Sequence, residues 1–198
     1  MQIALDNLIE SGRTIGKIWY SQAEGELYQV AYENGWNPED FAGIIAVTSP
    51  KVSVRRNIRQ ALEIMGNSRY FDSVLSNVVS SVEHYVVTGV IRGRKTSAFR
   101  DALLGDQTAL VLDSHMSNVF RIPQATIFRK DNYSKILRVI VRLSRRHKLT
   151  ISQTQASLWC GQLQATGKTA QLFPILQEFE NWRACNFRFP EGTIQLKI

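Results

Sequence analysis

The chain has 198 residues, of which 44% are hydrophobic and 21% are charged. This composition is sufficient for a buried core and excludes a disordered, highly charged tail protein. Its 24 lysines and arginines outnumber its 17 acidic residues, and the net charge of +7 favours a polyanionic partner such as nucleic acid.

The sequence carries no sign of a membrane span, a leader or a cofactor. No apolar run is long enough to cross a bilayer, and the N-terminus lacks the basic start and apolar centre of a signal peptide. Cys160 and Cys185 are isolated and form no CxxC pair, so neither a zinc nor an iron–sulfur site is expected. We therefore expect a cytoplasmic protein without a cofactor, and leave open whether the two cysteines interact.

The first third of the chain has helical patterns with clear start and stop signals. Apolar residues recur at helical spacing over residues 3–33, and three glycines in that stretch predict two helices rather than one. Asn37 is a predicted helix cap, Pro38 suits the first helical position, and this helix should end before Pro50. Residues 54–67 resume a helical pattern. The three glycines are Gly12, Gly16 and Gly25.

The middle of the chain alternates helices with short connections. Residues 70–87 have helical spacing and form one or two predicted helices. A further helix opens at Lys95 and closes at Gly105, and residues 107–112 are a short extended approach to the next. Asp113, or the residue just before it, is expected to cap that next helix.

The clearest amphipathic helix lies over residues 132–149. Its charged residues fall on the face opposite its apolar stripe, and four like charges on one face repel each other unless a polyanion meets them. Another helix should end at Gly167, Pro174 breaks the segment that follows, and the tail 186–198 is predicted to be a small hairpin. The fold class is therefore mostly α. The four basic residues are Lys135, Arg138, Arg142 and Arg145.

Residues 93–115, "GRKTSAFRDALLGDQTALVLDSH", resemble the helix–hairpin–helix DNA glycosylases that act in base excision. Those enzymes carry a Gly-rich hairpin, then a Lys and Thr that open a helix, and eighteen positions after the Lys an Asp followed by Thr or Ser and His. Here Lys95 and Thr96 follow Gly93, and Asp113 stands at that spacing. Upstream, residues 38–62 are similar to the first two core helices of the family and the DNA-facing turn between them.

The chain also departs from the family pattern. The family hairpin usually reads Leu-Pro-Gly-x-Gly, whereas here the proline is missing and Gly89 and Gly93 lie farther apart. The cysteine-rich iron–sulfur loop of some members is absent, as it is in other members.

The resemblance implies a fold and an activity. The fold would be two helical lobes around a DNA-binding cleft, with residues about 35–112 in one lobe and residues about 1–34 and 113–198 in the other. A monomer would excise a damaged or modified base from double-stranded DNA and leave an abasic site. The compact chain and the altered hairpin favour a modified base, such as a modified cytosine of phage DNA, over a repair substrate.

The physical chemistry of the motif supports two roles. Backbone N–H groups at a helix start attract phosphate, and glycines let the phosphate approach closely. Breaking an N-glycosidic bond builds positive charge on the sugar, which the Asp113 carboxylate could stabilise, and a lysine amine such as Lys95 could attack C1′ to form a Schiff base. The predicted DNA-binding residues are Lys51, Gly89, Arg92, Gly93, Arg94, Thr96, Arg138 and Arg142.

Simpler readings stay open for both catalytic candidates. Asp113 would serve as a helix cap whether or not it is catalytic, and Lys95 could contact phosphate as a point charge without acting as a nucleophile. His115 is expected to be structural, as are Trp19 and Trp159. The alternative function is a non-catalytic DNA-binding module that keeps the hairpin for phosphate.

Overall fold

The structure, a computed structural model, describes residues 2–66 and 76–186, and all of its regular elements there are helical. The mostly α class is confirmed. The predicted tail hairpin lies outside the described residues beyond Asn186. In chain order the α-helices are α1 (Gln2–Asn34), α2 (Pro38–Thr48), α3 (Val54–Gly66), α4 (Ser76–Thr88), α5 (Arg94–Leu103), α6 (Ser114–Phe120), α7 (Lys130–His147), α8 (Ile151–Ala165) and α9 (Ile175–Asn186).

The predicted helix caps are formed. The Asn37 side chain accepts hydrogen bonds from the Glu39 and Asp40 N–H groups at 2.7 and 3.4 Å, and Pro38 is the first residue of α2. The helix ends at Thr48, before Pro50, as expected. These contacts satisfy N–H groups that a helix start otherwise leaves without partners.

Helix α1 corrects the prediction of two helices over residues 3–33, because it is continuous. Gly12 and Gly16 face α8, and a Cβ at Gly12 would overlap the carbonyl oxygen of Ser157. Across the same crossing, a Cβ at Gly161 would overlap the carbonyl oxygen of Leu8. The glycines thus allow two helix backbones to approach closely, and the packing gained offsets their low helix propensity.

Two hydrophobic cores lie on either side of this α1–α8 crossing. The first core contains the second half of α1 together with α2, α3, α4, α5 and α9. The second core contains the first half of α1 together with α6 and α7. Helix α8 contributes to both, since Ala156 and Cys160 face the first core and Leu158 faces the second.

Helices α1 and α9 are placed by these cores. Helix α1 spans both of them, and α9 packs in the first core through Phe179. A buried carboxylate fixes α9 there, because Glu178 accepts hydrogen bonds from Arg55 and Arg59 of α3, each at 2.5 Å. Over the described ranges, none of the helices has the length and apolarity that a membrane span would require.

Candidate active site

A pocket opens at the edge of the first core. Its walls come from α1, the turn between α2 and α3, the first turn of α3, α5, the segment before α6, α8 and the segment before α9. Five of the lining residues are aromatic, and Trp19 lies in edge or tilted contact with the other four. Aromatic rings around a cavity are suited to contact with a planar ligand. The five aromatic residues are Trp19, Tyr20, Phe99, Trp159 and Phe173.

Lys95 lies in this pocket near the start of α5. Its Nζ donates a hydrogen bond to Ser49 Oγ at 3.1 Å and lies 5.8 Å from the centre of the Phe99 ring. Burial lowers the pKa of the Lys95 ammonium below its ordinary value, and the negative charge of Asp113 acts in the opposite direction. A lysine in such surroundings has more of the neutral amine, the form that attacks carbon.

Asp113 lines the same pocket and also caps a helix. Its Oδ1 accepts a hydrogen bond from the Met116 N–H at 2.9 Å, which confirms the predicted cap of α6. Two effects raise the pKa of Tyr20 above its ordinary value. Burial is the larger effect, and the negative charge of Asp113 is the next. The two catalytic candidates, which lie eighteen positions apart in the sequence, thus line one cavity.

Two buried amides complete the polar lining, and sequence analysis missed both. Gln155 of α8 is 3% exposed and accepts a hydrogen bond from the Tyr20 hydroxyl at 2.9 Å. Asn57 of α3 is 2% exposed and donates to the Ile45 carbonyl and to Thr48 Oγ1, at 2.9 and 2.7 Å. Neither amide belongs to a motif, and a polar residue within a helical pattern gives no signal that it faces a cavity.

The loop between α4 and α5 holds several of the predicted DNA-binding residues. Gly89 and Gly93 have φ values of +67° and +96°, which L side chains rarely adopt. Arg92 and Arg94 are exposed, although one Arg94 nitrogen donates to the Phe128 carbonyl at 3.4 Å, and Thr96 is half-buried. None of these five lines the pocket, so they belong to the surface near the start of α5.

The start of α5 has no side-chain cap. Gly93 provides no side-chain cap for the first N–H groups of this helix, and these groups have no partner within the helix. Lys51 lies in the α2–α3 turn, is exposed, and has a φ of +63°. Its neighbours Ser49 and Val52 line the pocket, so the Lys51 backbone lies at the pocket's edge.

The predicted basic face of α7 is solvent-exposed. Ile136, Ile140 and Leu143 point into the second core, as the apolar stripe predicted. None of the basic residues lines the pocket. The four exposed basic residues are Lys135, Arg138, Arg142 and Arg145.

His115 packs its ring edge-on against Trp159, with ring centres 6.0 Å apart, in agreement with a structural role. Trp159 and Trp19 belong to the hydrophobic packing and line the pocket as well. The cysteines do not pair, since Cys160 is buried and Cys185 is exposed, both as free thiols. Over residues 2–66 and 76–186, no cluster of three or more His, Cys, Asp or Glu side chains is arranged to hold a metal ion.

Comparison with known proteins places the chain in a family. No curated protein and no solved structure matches the chain. A family model matches residues 9–166, which run from the first half of α1 to the end of α8 and include every residue of the pocket except Phe173. The chain therefore belongs to DUF7178, described as a family of unknown function.

Proposed function

We propose that the protein is a DNA glycosylase that flips a damaged or modified base out of double-stranded DNA into the pocket and cleaves its bond to the sugar. A modified cytosine of phage DNA is the leading substrate class. The observation that carries the proposal is that Lys95 and Asp113 line one pocket with aromatic walls. An amine and a carboxylate beside a planar cavity fit base flipping followed by attack at C1′.

The proposed chemistry gives each group a defined task. The neutral Lys95 amine attacks C1′, the C1′–N bond breaks, and the base leaves with the bonding electrons and takes up a proton. Loss of a proton from Nζ and opening of the sugar ring then give an imine, which water hydrolyses to the abasic site and free lysine. Asp113 stabilises the positive charge that develops on the sugar.

A second route to the same product needs no covalent step. The Asp113 carboxylate accepts a proton from a water molecule as that water attacks C1′, and the base again leaves with the bonding electrons. Lys95 then serves as a positive charge for a phosphate. The two routes differ in whether an imine forms.

Surface features outside the pocket support a DNA partner. The uncapped start of α5 and the positive-φ glycines before it offer backbone N–H groups to a phosphate. Exposed arginines flank this start, and α7 presents its four basic side chains to solvent. Such contacts supply affinity without reading sequence, so selectivity is left to the pocket.

The alternative function, a DNA-binding module without activity, also has an observation in its favour. The Asp113 carboxylate already accepts a hydrogen bond from the Met116 N–H, and this helix cap is sufficient reason for an Asp at this position. The module, however, needs neither a buried lysine nor an aromatic cavity next to it. The glycosylase accounts for these features as well, and we prefer it on that ground.

A duplex panel tests the proposal. DNA duplexes that differ in one damaged or modified base are incubated with the protein and then heated in alkali, which cleaves at abasic sites. We expect cleavage at the altered base in at least one duplex, and much slower cleavage of that duplex with Asp113→Asn protein purified in the same way. If the protein binds the duplexes but releases no base from any member of a broad panel, the result would favour the non-catalytic module.

A further inference from the structure

We infer that Gln155 and Asn57 select the base that enters the pocket, and that they select a pyrimidine. This inference rests on the proposed function, because it names the substrate class of the same site. It follows from the hydrogen-bonding groups that the two buried amides leave unused and from the size of the cavity.

Gln155 presents a donor to the pocket. The Tyr20 hydroxyl donates to Gln155 Oε1, so the amide oxygen is occupied and the amide nitrogen is turned away from Tyr20. Nε2 has no hydrogen-bond acceptor among the described residues, and the side chain lines the pocket. A ligand acceptor in the pocket can therefore take the hydrogen bond of this donor.

Asn57 presents an acceptor. Both hydrogens of Nδ2 are used, one by the Ile45 carbonyl and one by Thr48 Oγ1. Because a carbonyl oxygen can only accept, the amide nitrogen must face Ile45, which fixes the orientation of the side chain. Asn57 Oδ1 then remains without a donor in the part of the chain that the structure describes, and the residue lines the pocket.

A donor and an acceptor held in place define what the ligand edge must carry. The ligand needs a carbonyl oxygen or ring nitrogen for Gln155 and an N–H group for Asn57. Both requirements are met on the edge of a cytosine or a uracil ring. A ligand without them would exclude solvent from the pocket and leave both amides without a partner, and sites of this type reject such analogues strongly.

The cavity size favours one ring over two. Its volume is about 120 Å³. An engineered apolar cavity of about 150 Å³ holds a single benzene molecule, so a pocket of this size is on the scale of one ring and is small for the fused rings of a purine. The aromatic walls are packed against each other and against the first core, so enlarging the cavity would disturb the core.

Calorimetric titration of the whole protein with small bases measures this selection directly. The ligands are 1-methylcytosine, 1-methyluracil and 9-methyladenine, in which the methyl group takes the place of the sugar. We expect at least one pyrimidine to bind and the purine to bind about tenfold more weakly or worse, a scale that one superfluous methylene can reach in a fitted pocket. A fourth ligand, 1-methyl-2-pyrimidinone, is 1-methylcytosine without its amino group and tests the contact to Asn57.

Variants test Gln155. Gln155→Met keeps the length of the side chain and removes the donor, and we expect it to weaken pyrimidine binding about five- to tenfold, the scale of one hydrogen bond. Gln164→Met, at an exposed position of the same helix, is the matched control and should bind like the parent. If loss of the Tyr20 partner unfolds Gln155→Met, Tyr20→Phe/Gln155→Met is compared with Tyr20→Phe, because an apolar pair of similar shape replaces both partners.

Several results would overturn the inference. These are purine binding equal to pyrimidine binding, unchanged pyrimidine binding in the Gln155 variants, or no binding of any base up to its solubility limit. The duplex panel keeps the proposed function separate. Base release with the same ranking in Gln155→Met would reject the inference alone, whereas Gln155-dependent pyrimidine binding without base release would reject the glycosylase alone.

Discussion

Asp113 combines a structural and a proposed catalytic role in one side chain. One oxygen of its carboxylate caps α6, and the residue lines the pocket. Its Oδ1 holds the Met116 N–H, which leaves Oδ2 without a hydrogen-bond donor among the described residues. A carboxylate fixed by one oxygen is well oriented for chemistry at the other, since no reorganisation is needed at the moment of reaction. Substitution by Asn separates the two roles, because an amide oxygen can keep the cap while the charge is lost.

Asp113→Asn should therefore fold and fail to release base. Asn caps helices about as well as Asp, so the melting temperature should stay close to that of the parent. Loss of the charge that stabilises the sugar cation should slow base release by about 10²-fold or more. Single-turnover base release on saturating DNA and thermal unfolding give the two values. A folded variant with parental activity would show that Asp113 is only a cap.

Lys95 decides between the covalent and the water route. If it is the nucleophile, borohydride reduces the imine and leaves a stable protein–DNA adduct, and Lys95→Gln gives none. Only the neutral amine attacks, so the trapping rate should rise with pH, reach half its maximum at the pKa of Lys95 and level off above it. Because burial lowers that pKa, the half-maximal pH should lie below the ordinary lysine value of 10.5.

The outcome for Lys95→Gln also identifies the other role. A phosphate contact alone would weaken binding by about 1–2 kcal/mol, recoverable at low salt, and would leave base release intact on saturating DNA. Absence of an adduct with the parent protein, together with active Lys95→Gln, would assign the reaction to water and Asp113.

The crossing of α1 and α8 is the element that positions the pocket. Helix α1 carries Trp19 and Tyr20, and α8 carries Gln155 and Trp159, so the separation of the two helices sets the distance between opposite walls. The glycines at the crossing allow the two helices to lie close together, because they have no Cβ. Adding even one carbon there requires one backbone to move, since the overlapping atoms are backbone atoms.

Gly161→Ala should therefore destabilise the protein by about 1–3 kcal/mol, the usual cost of overfilling a packed contact. Gly25→Ala is the matched control on α1, because a Cβ at Gly25 has no atom within 4 Å. It should stabilise the protein by up to about 1 kcal/mol through helix propensity. Denaturant unfolding measures both. Equal effects of the two substitutions would mean that the helices are not in close contact.

The sequence predicted most helices, because each has a local signal. Asn37 with Pro38, and Asp113 ahead of α6, mark helix starts by hydrogen bonds within four residues. That α1 is one continuous helix was not predictable, since Gly12 and Gly16 are explained by α8, more than a hundred residues away. The position of α9 depends likewise on Glu178 and its two arginines on α3.

For the pocket, the resemblance predicted the two residues with reactive groups and none of the walls. Lys95 and Asp113 follow a motif that is read along one stretch of chain. Asn57 lies on α3 and Gln155 on α8. They line the same pocket only because the packing of the first core brings these helices together. Their role depends on which amide atom is already bonded, and that information exists only in three dimensions.

The whole molecule carries a net charge of +7. Some of its basic residues form ion pairs, whereas others face solvent. Arg55 and Arg59 neutralise the buried Glu178, whereas the four basic residues on the outer face of α7 form none of the ion pairs within the described residues. An exposed face with one sign of charge attracts a polyanion, and each phosphate it neutralises releases counterions. The consequence is a salt dependence of binding that scales with the number of such contacts.

Arg138→Ala/Arg142→Ala should accordingly lower the slope of log affinity against log salt concentration by up to about two units on a DNA duplex, with base preference unchanged. The control is Lys168→Ala/Arg183→Ala, which removes the same charge at exposed positions away from α7 and should leave the slope near the parental value. Fluorescence anisotropy at several salt concentrations gives each slope. If both double variants and the parent give equal slopes, no phosphate contact was lost with Arg138 and Arg142. This face of α7 would then lie outside the DNA interface.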